Sequence, residues 1–229
     1  MKLEHIIAAI DNYTGPRYSQ LGQDILALAV FGTIKPGFFV EFGGLDGIEN
    51  SNTFLLETSY GWQGILAEPG KIFHTPLAEN RKCLIDHRAV ADRTGMTLEF
   101  KETNIELGLS GLTGYFHPND RHTANRKNSS GQVYDVTTVS LDDLLDHHGA
   151  PDHIQYLSVD TEGSELEILK NFNFSRRHIG MITVEHNYVV ANRDEIRLLL
   201  EAQGYHRVLT NRSHWDDWYL HSDILKEPQ

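Results

Sequence analysis

The stretch from Phe38 to Asn52, FFVEFGGLDGIENSN, confines this chain to a small set of folds. Phe38, Phe39 and Val40 run apolar into Glu41 and Phe42 between Gly37 and Gly43, and a short apolar run bounded by glycine reads as a buried parallel strand. Gly43, Gly44 and Gly47 then break it. Without a β-carbon the backbone turns sharply and can approach a ligand closely, while the next helix, expected to about Tyr60, presents free N–H groups. Asn50 or Ser51 is the expected cap. Strand, glycine turn and helix make a nucleotide-sized cradle in an α/β domain.

The spacing Glu41-x-Gly43-x-x-x-Gly47 is not the G-x-G-x-x-G of dinucleotide enzymes. An acid at the strand end repels phosphate and suits a cationic ligand, such as the ammonium and sulfonium of S-adenosylmethionine (SAM). A second strand, Ile65 to Ala67, ends in Glu68-Pro69, a little over twenty residues beyond the turn. At that spacing an acidic residue meets the ribose of an adenosine cofactor, and a carboxylate can accept both donors of the diol.

Further strands are expected at Cys83–Val90 as one edge strand, Met96–Lys101, Val133–Val139, His153–Asp160, Met181–Glu185, and a closing hairpin of Tyr205–Leu209 with Asp217–Leu220. Ligands of open parallel sheets collect at the carboxyl ends of strands, so Glu41, Glu68 and Asp160 should converge. Before the first strand, Tyr18–Phe31 has helical spacing, with Gln20, Gln23 and Asp24 on or beside its polar side, read first as solvated and alternatively as reaching the mouth of the site. Ser140 is set to cap a short helix, and Asn192 with Glu195 forms a capping box for a helix stopped by Gly204. Glu162 is expected to serve the start of the helix after Asp160 through its amides. Trp215 and Trp218 read as packing residues. The long polar stretch 104–131 carries interspersed leucines and aromatics and is expected to be a substrate-side loop.

With 229 residues, 40% of them hydrophobic, the chain suits one domain over 1–229, with 1–36 as an N-terminal helical extension. Cys83 alone excludes an internal disulfide and a thiolate zinc cluster. A formal charge of −12 opposes nucleic acid, and the basic run Arg121–Lys127 reads first as a solvated loop. No apolar run approaches the ~20 residues of a membrane span, and the first residues lack a signal-peptide core, so a cytoplasmic protein without membrane attachment is expected.

The blocks SQLGQD, FFVEFGGLDGIENSNT, GILAEP, ADRTG, VTTVSLDDLL, YLSVDTEGSELEILKNF and ITVEHN, in this order over Tyr18 to Asn187, resemble the FkbM-type SAM-dependent methyltransferases. The resemblance implies a class I methyltransferase (Rossmann-like) fold: a seven-stranded, mostly parallel sheet with helices on both faces and a C-terminal antiparallel hairpin. It further implies SAM as donor and an oxygen acceptor on a sugar, glycan or secondary metabolite. By position, Glu41, the Gly43-Gly44 turn and Asp46 would hold the methionine part, with Ser51 and Asn52 beside it. Glu68 and Pro69 would meet the ribose, and Asp160 would face the transfer region. Glu41 stands where many relatives have Asp.

An alcohol acceptor must lose its proton. Asp160, Glu185 and His186, at the ends of neighbouring strands, leave two readings open: Asp160 or His186 as general base, or the three as ligands of a divalent cation, Mg²⁺ or Mn²⁺. Two other functions compete: a non-catalytic SAM-binding module, and a metal-dependent hydrolase. The acceptor is expected to be a small molecule or glycan, and a homo-oligomer is compatible with the sequence.

Overall fold

The computed structural model describes residues 2–226. In chain order the elements are α1 (Leu3–Asp11), α2 (Gln23–Phe31), β1 (Phe38–Phe42), α3 (Phe54–Tyr60), β2 (Gln63–Ala67), α4 (His74–Asn80), β3 (Leu84–Asp86), β4 (Ala89–Val90), β5 (Thr97–Glu102), β6 (Gly111–Leu112), α5 (Thr123–Asn128), β7 (Gln132–Val139), α6 (Leu141–His147), β8 (His153–Val159), α7 (Glu165–Asn171), β9 (His178–Glu185), α8 (Val190–Ala202), β10 (Tyr205–Val208), β11 (Asp216–His221) and α9 (Ser222–Leu225).

Seven strands form the main sheet in the order β10-β11-β9-β8-β1-β2-β3. All pairings are parallel except those of β11, which runs antiparallel to both β9 and β10. Strand order reverses at β1, between β2 and β8, and the carboxyl ends there diverge into a crevice. Period-two alternation sends the strand side chains to opposite faces. Val40, Phe42, Leu157, Val159, Ile182 and Val184 pack beneath α6, α7 and α8. Phe39, Tyr156 and Met181 pack against α1, α2 and α3 on the other side. Among the described residues, no helix is long and apolar enough to cross a membrane.

The expected strand 83–90 is two strands. Asp86 accepts from Arg88 N at 2.9 Å and pairs with Arg88 Nη2 at 2.6 Å. That turn ends β3 and redirects β4 into a second sheet, ordered β4-β7-β5-β6. Segment 104–131 is not an open loop either, since it contains β6, α5 and two short 3₁₀ turns.

Two helix starts also differ from expectation. Asn187 and Tyr188 take positive φ (44° and 62°) and Val189 N bonds to His186 O at 2.8 Å, so the chain finishes turning early and α8 starts at Val190. Asn192 and Glu195 therefore lie inside it and form no capping box. Helix α2 starts only at Gln23, because Asp24 is not solvated. Its buried carboxylate accepts from Tyr18 N (3.0 Å), Ser19 N (3.4 Å) and Ser19 Oγ, closing residues 18–22 into a strap. Ser140 does cap α6, accepting from Asp143 N, and Gly204 (φ 87°) follows α8 as its stop.

Removing the Asp24 carboxylate strands four donors, since Ile25 N also bonds to it at 2.8 Å. Asp24→Ala should cost about 2 kcal/mol, lowering Tm by roughly 4–8 °C for a chain of this size. Calorimetric or circular-dichroism melting of both proteins measures it.

Candidate active site

At the end of β1, Glu41 is 1% exposed. An isolated carboxylate there would be untenable, and four groups supply what it lacks. Asn52 N donates at 2.6 Å, Ser51 Oγ at 3.0 Å and Thr53 Oγ1 at short range, while the Arg81 guanidinium stands 3.5 Å away. Arg81 extends from the end of α4 and also reaches Glu57 (2.6 Å), Thr53 Oγ1 (2.8 Å) and Gly47 O (3.1 Å). The start of α3 is fastened by Ser51, whose Oγ accepts from Phe54 N at 3.1 Å; Asn50 makes no such cap and sits at φ 60°. Glu41 therefore organises the turn rather than reserving its oxygens for a ligand.

The glycines serve the same close packing. Gly43 has φ 73°, and a β-carbon there would lie 2.2 Å from Asp160 O. One on Gly44 would strike the Leu66 side chain at 2.6 Å. The turn is thereby laid flat between the ends of β2 and β8. Asp46 accepts from Ile48 N (2.9 Å) and Glu49 N (2.8 Å), which shapes its own loop.

A cavity of about 570 Å³ opens above these strand ends, a size suited to a small-molecule ligand. Glu41, Gly43, Asp46, Asn52, Glu68, Pro69, Asp160 and Glu185 line it; Gly44, Ser51 and His186 lie behind its wall. Glu68 Oε1 accepts from Gly70 N (2.7 Å) and Oε2 from Leu45 N (3.2 Å), so each oxygen keeps a lone pair for the cavity. Burial pushes this carboxyl up to about 7, with the two amides opposing. Asn52 donates through Nδ2 to Ser158 Oγ at 2.8 Å, and its buried Oδ1 has no protein partner. These acceptors fit a ligand carrying an ammonium and a diol.

Across the cavity, Asp160, Glu162 and Glu185 bring carboxylate oxygens within 4.8 Å of one another. Burial raises the proton affinity of all three: Glu162 is pushed up to about 8, and Asp160 and Glu185 lie well above the carboxylate range, aided by mutual repulsion. Asp216, buried beside them, is pushed up to about 7 and receives Gln23 Nε2 at 2.7 Å. Carboxyls packed together out of water in this way bind protons more tightly than free acids. Arg126 offsets part of the charge, pairing with Glu162 and, at 3.0 Å, with Asp120. Asn187 Nδ2 donates to Glu185 (2.6 Å) and Glu162 (3.2 Å).

Several expectations change here. His186 does not join Asp160 and Glu185: its Nδ1 accepts from Tyr188 N (3.0 Å), its Nε2 faces Asp217 at 3.8 Å, and burial lowers its pKa to about 4. It is a neutral packing histidine, because the turn at Asn187 swings the ring away from the cavity. The amides at the start of α7 are held by Glu165, which accepts from Thr161 N and Gly163 N at 2.9 Å, leaving Glu162 to the cluster. Arg126, in the run expected to be solvated, is 3% exposed. Residues 106–110, Leu112, Arg121 and His122 wall the cavity beside Trp215, over whose ring Arg121 stacks at 4.5 Å. Gln23 and Arg126, read first as solvated, are buried, while Arg81 and Asp216 escape the sequence reading. Charge within otherwise apolar or structured neighbourhoods was their one available signal.

Arg81→Met leaves Glu41 buried without a cation and should cost about 3–5 kcal/mol. Adding Glu41→Gln removes the orphaned charge, so the double variant should recover part of that loss in urea unfolding.

Comparison with known proteins bears on the fold and the family. A crystal structure of methyltransferase FkbM from Methylobacillus flagellatus KT is similar in fold, with a TM-score of 0.50 at 10% identity over 96% of this chain and 58% of that one. This chain thus corresponds to little more than half the length of that protein. A search of curated proteins finds no match. The profile of the methyltransferase FkbM domain matches residues 41–207, from the carboxylate that ends β1 to the penultimate residue of β10. The chain belongs to the FkbM methyltransferase domain family.

Proposed function

We propose that this chain is a SAM-dependent methyltransferase acting on a hydroxyl oxygen of a sugar, glycan or other small molecule. One observation carries the reading. A single cavity has unspent acceptors, Glu68 and Asn52 Oδ1, opposite carboxyls whose proton affinity is raised by burial.

SAM, when bound, supplies a methyl group on a positively charged sulfonium. Glu68 would accept the ribose hydroxyls beside Pro69, and Asn52 Oδ1 would accept from the ammonium. The Asp46 carboxylate adds negative potential that favours a cation. Burial raises the proton affinity of Asp160 and Glu185, and one of them, in its ionised form, would take the acceptor's hydroxyl proton. Arg126 holds Glu162 and keeps the remaining negative charge on that pair. Holding the acceptor in line contributes by positioning, which is worth several kcal/mol in such reactions. The 106–112 wall and the Arg121-Trp215 stack form the acceptor side.

The three clustered carboxylates favour a second reading of the proton step. Their oxygen donors fit a hard divalent cation, Mg²⁺ or Mn²⁺, which supplies Lewis acidity to the acceptor oxygen when bound. EDTA would then abolish turnover and Mg²⁺ restore it; undiminished turnover in EDTA leaves the carboxylate base. A SAM-binding module would bind without turnover, and a hydrolase would act without SAM.

The sign of the pH effect at Glu68 follows from its raised pKa. Below about pH 7 the carboxyl is protonated and loses acceptor capacity, so SAM affinity measured by calorimetry should be about tenfold weaker at pH 6 than at pH 8. Glu68→Gln should weaken binding by about 10–100-fold, the value of a charged hydrogen bond, and flatten this dependence. Glu185→Gln should bind SAM normally but lower kcat by about 10²–10⁴-fold. No SAM binding by the wild type sinks the proposal.

A further inference from the structure

Strand β9 ends in the acidic cluster and begins, roughly 23 Å away by strand rise, in a different group of side chains. His178 opens β9, His221 closes the antiparallel β11, and Asp223 lies in the first turn of α9. We propose that His178 Nε2, His221 Nδ1 and Asp223 Oδ2 form a tetrahedral site for a divalent transition metal, with Zn²⁺ as its natural occupant.

The argument is geometric. His178 Nε2 stands 3.2 Å from His221 Nδ1 and 3.5 Å from Asp223 Oδ2, and the third edge, His221 Nδ1 to Asp223 Oδ2, is 3.3 Å. Zinc–ligand bonds of about 2.0–2.1 Å at tetrahedral angles require ligand atoms about 3.3–3.4 Å apart. The three donors thus already outline one face of a zinc tetrahedron. Two imidazoles with one carboxylate suit Zn²⁺, Co²⁺ or Ni²⁺ better than Mg²⁺ or Ca²⁺.

The surroundings agree. Asp223 N donates to His221 Nδ1 at 3.4 Å, a long contact to the single lone pair of that nitrogen, which a metal at Nδ1 would displace. Asp223 Oδ1 is engaged by Lys226 Nζ at 2.5 Å, turning Oδ2 to the imidazoles. All three side chains are partly exposed, so solvent can fill the fourth position. His153, the register partner of His178 on β8, lies with its ring 5.4 Å from that of His178 but outside the triangle. A metal here would fasten α9 to the rim of the sheet at the end opposite the cavity.

The test starts from full-length protein stripped with EDTA and then dialysed. Zn²⁺ should bind in a calorimetric titration, and at a free concentration 100-fold above Kd should raise Tm by roughly 5–10 °C. Co²⁺ should give the intense visible bands of a tetrahedral ion. His178→Ala and Asp223→Asn should each weaken Zn²⁺ binding about tenfold or more and erase those bands, while His153→Ala retains both. SAM affinity, unchanged in every variant, separates this site from the cavity. Absence of a Zn²⁺ response in the wild type overturns the proposal, as does an octahedral Co²⁺ spectrum or a response that survives in both ligand variants.

Discussion

The buried pair of Glu41 and Arg81 is the constraint around which the site is built. A carboxylate at the inner end of β1 cannot be left unpaired, and Arg81 arrives from the end of α4 to meet it. The same guanidinium holds Gly47 O, Thr53 and Glu57, so one side chain joins the glycine turn, the start of α3 and the end of α4. With those three fixed, Leu45 N and Asn52 face the cavity at defined positions. The burial of charge costs stability by itself; the dense donor set around it converts that cost into a single turn conformation.

The strand-end acids look equivalent in sequence and are not equivalent in the fold. Glu41 is saturated by hydroxyls, an amide and a guanidinium. Glu68 is half satisfied by two backbone amides and keeps capacity toward the cavity. Burial, with neighbouring carboxylates adding to it, raises the proton affinity of Asp160 and Glu185. Environment separates chemically similar carboxyls into a saturated structural anchor, a half-satisfied acceptor and a pair whose proton affinity is raised.

Segment 104–131 contributes the far wall and the one cation in the cluster. Arg126 is drawn under α5 by Asp120 and Glu162, and its Nε donates to Leu109 O at 3.1 Å, so the same contact that tempers the acids pins the wall. Helix α2 closes the near side, with Gln23 bonded to Asp216 across almost the full length of the sequence.

The amino-acid sequence by itself determined most strands of the main sheet, the glycine turn and the acids Glu41, Glu68, Asp160 and Glu185 near their strand ends, because hydrophobic period and turn chemistry are local. The blocks resembling FkbM methyltransferases likewise lie in the chain order that the family profile matches. Local pattern also explains the misreadings. A capping box at Asn192 and a solvated Asp24 are sound local inferences, but a positive-φ turn at Asn187 and the strap around Ser19 displaced them. Only the tertiary structure decided that His186 turns away, that Arg126 and Arg81 are buried, and that His178, His221 and Asp223 meet from separate elements. Those outcomes depend on which distant charges share a low-dielectric space, and electrostatic energy there is set by separation in space rather than along the chain.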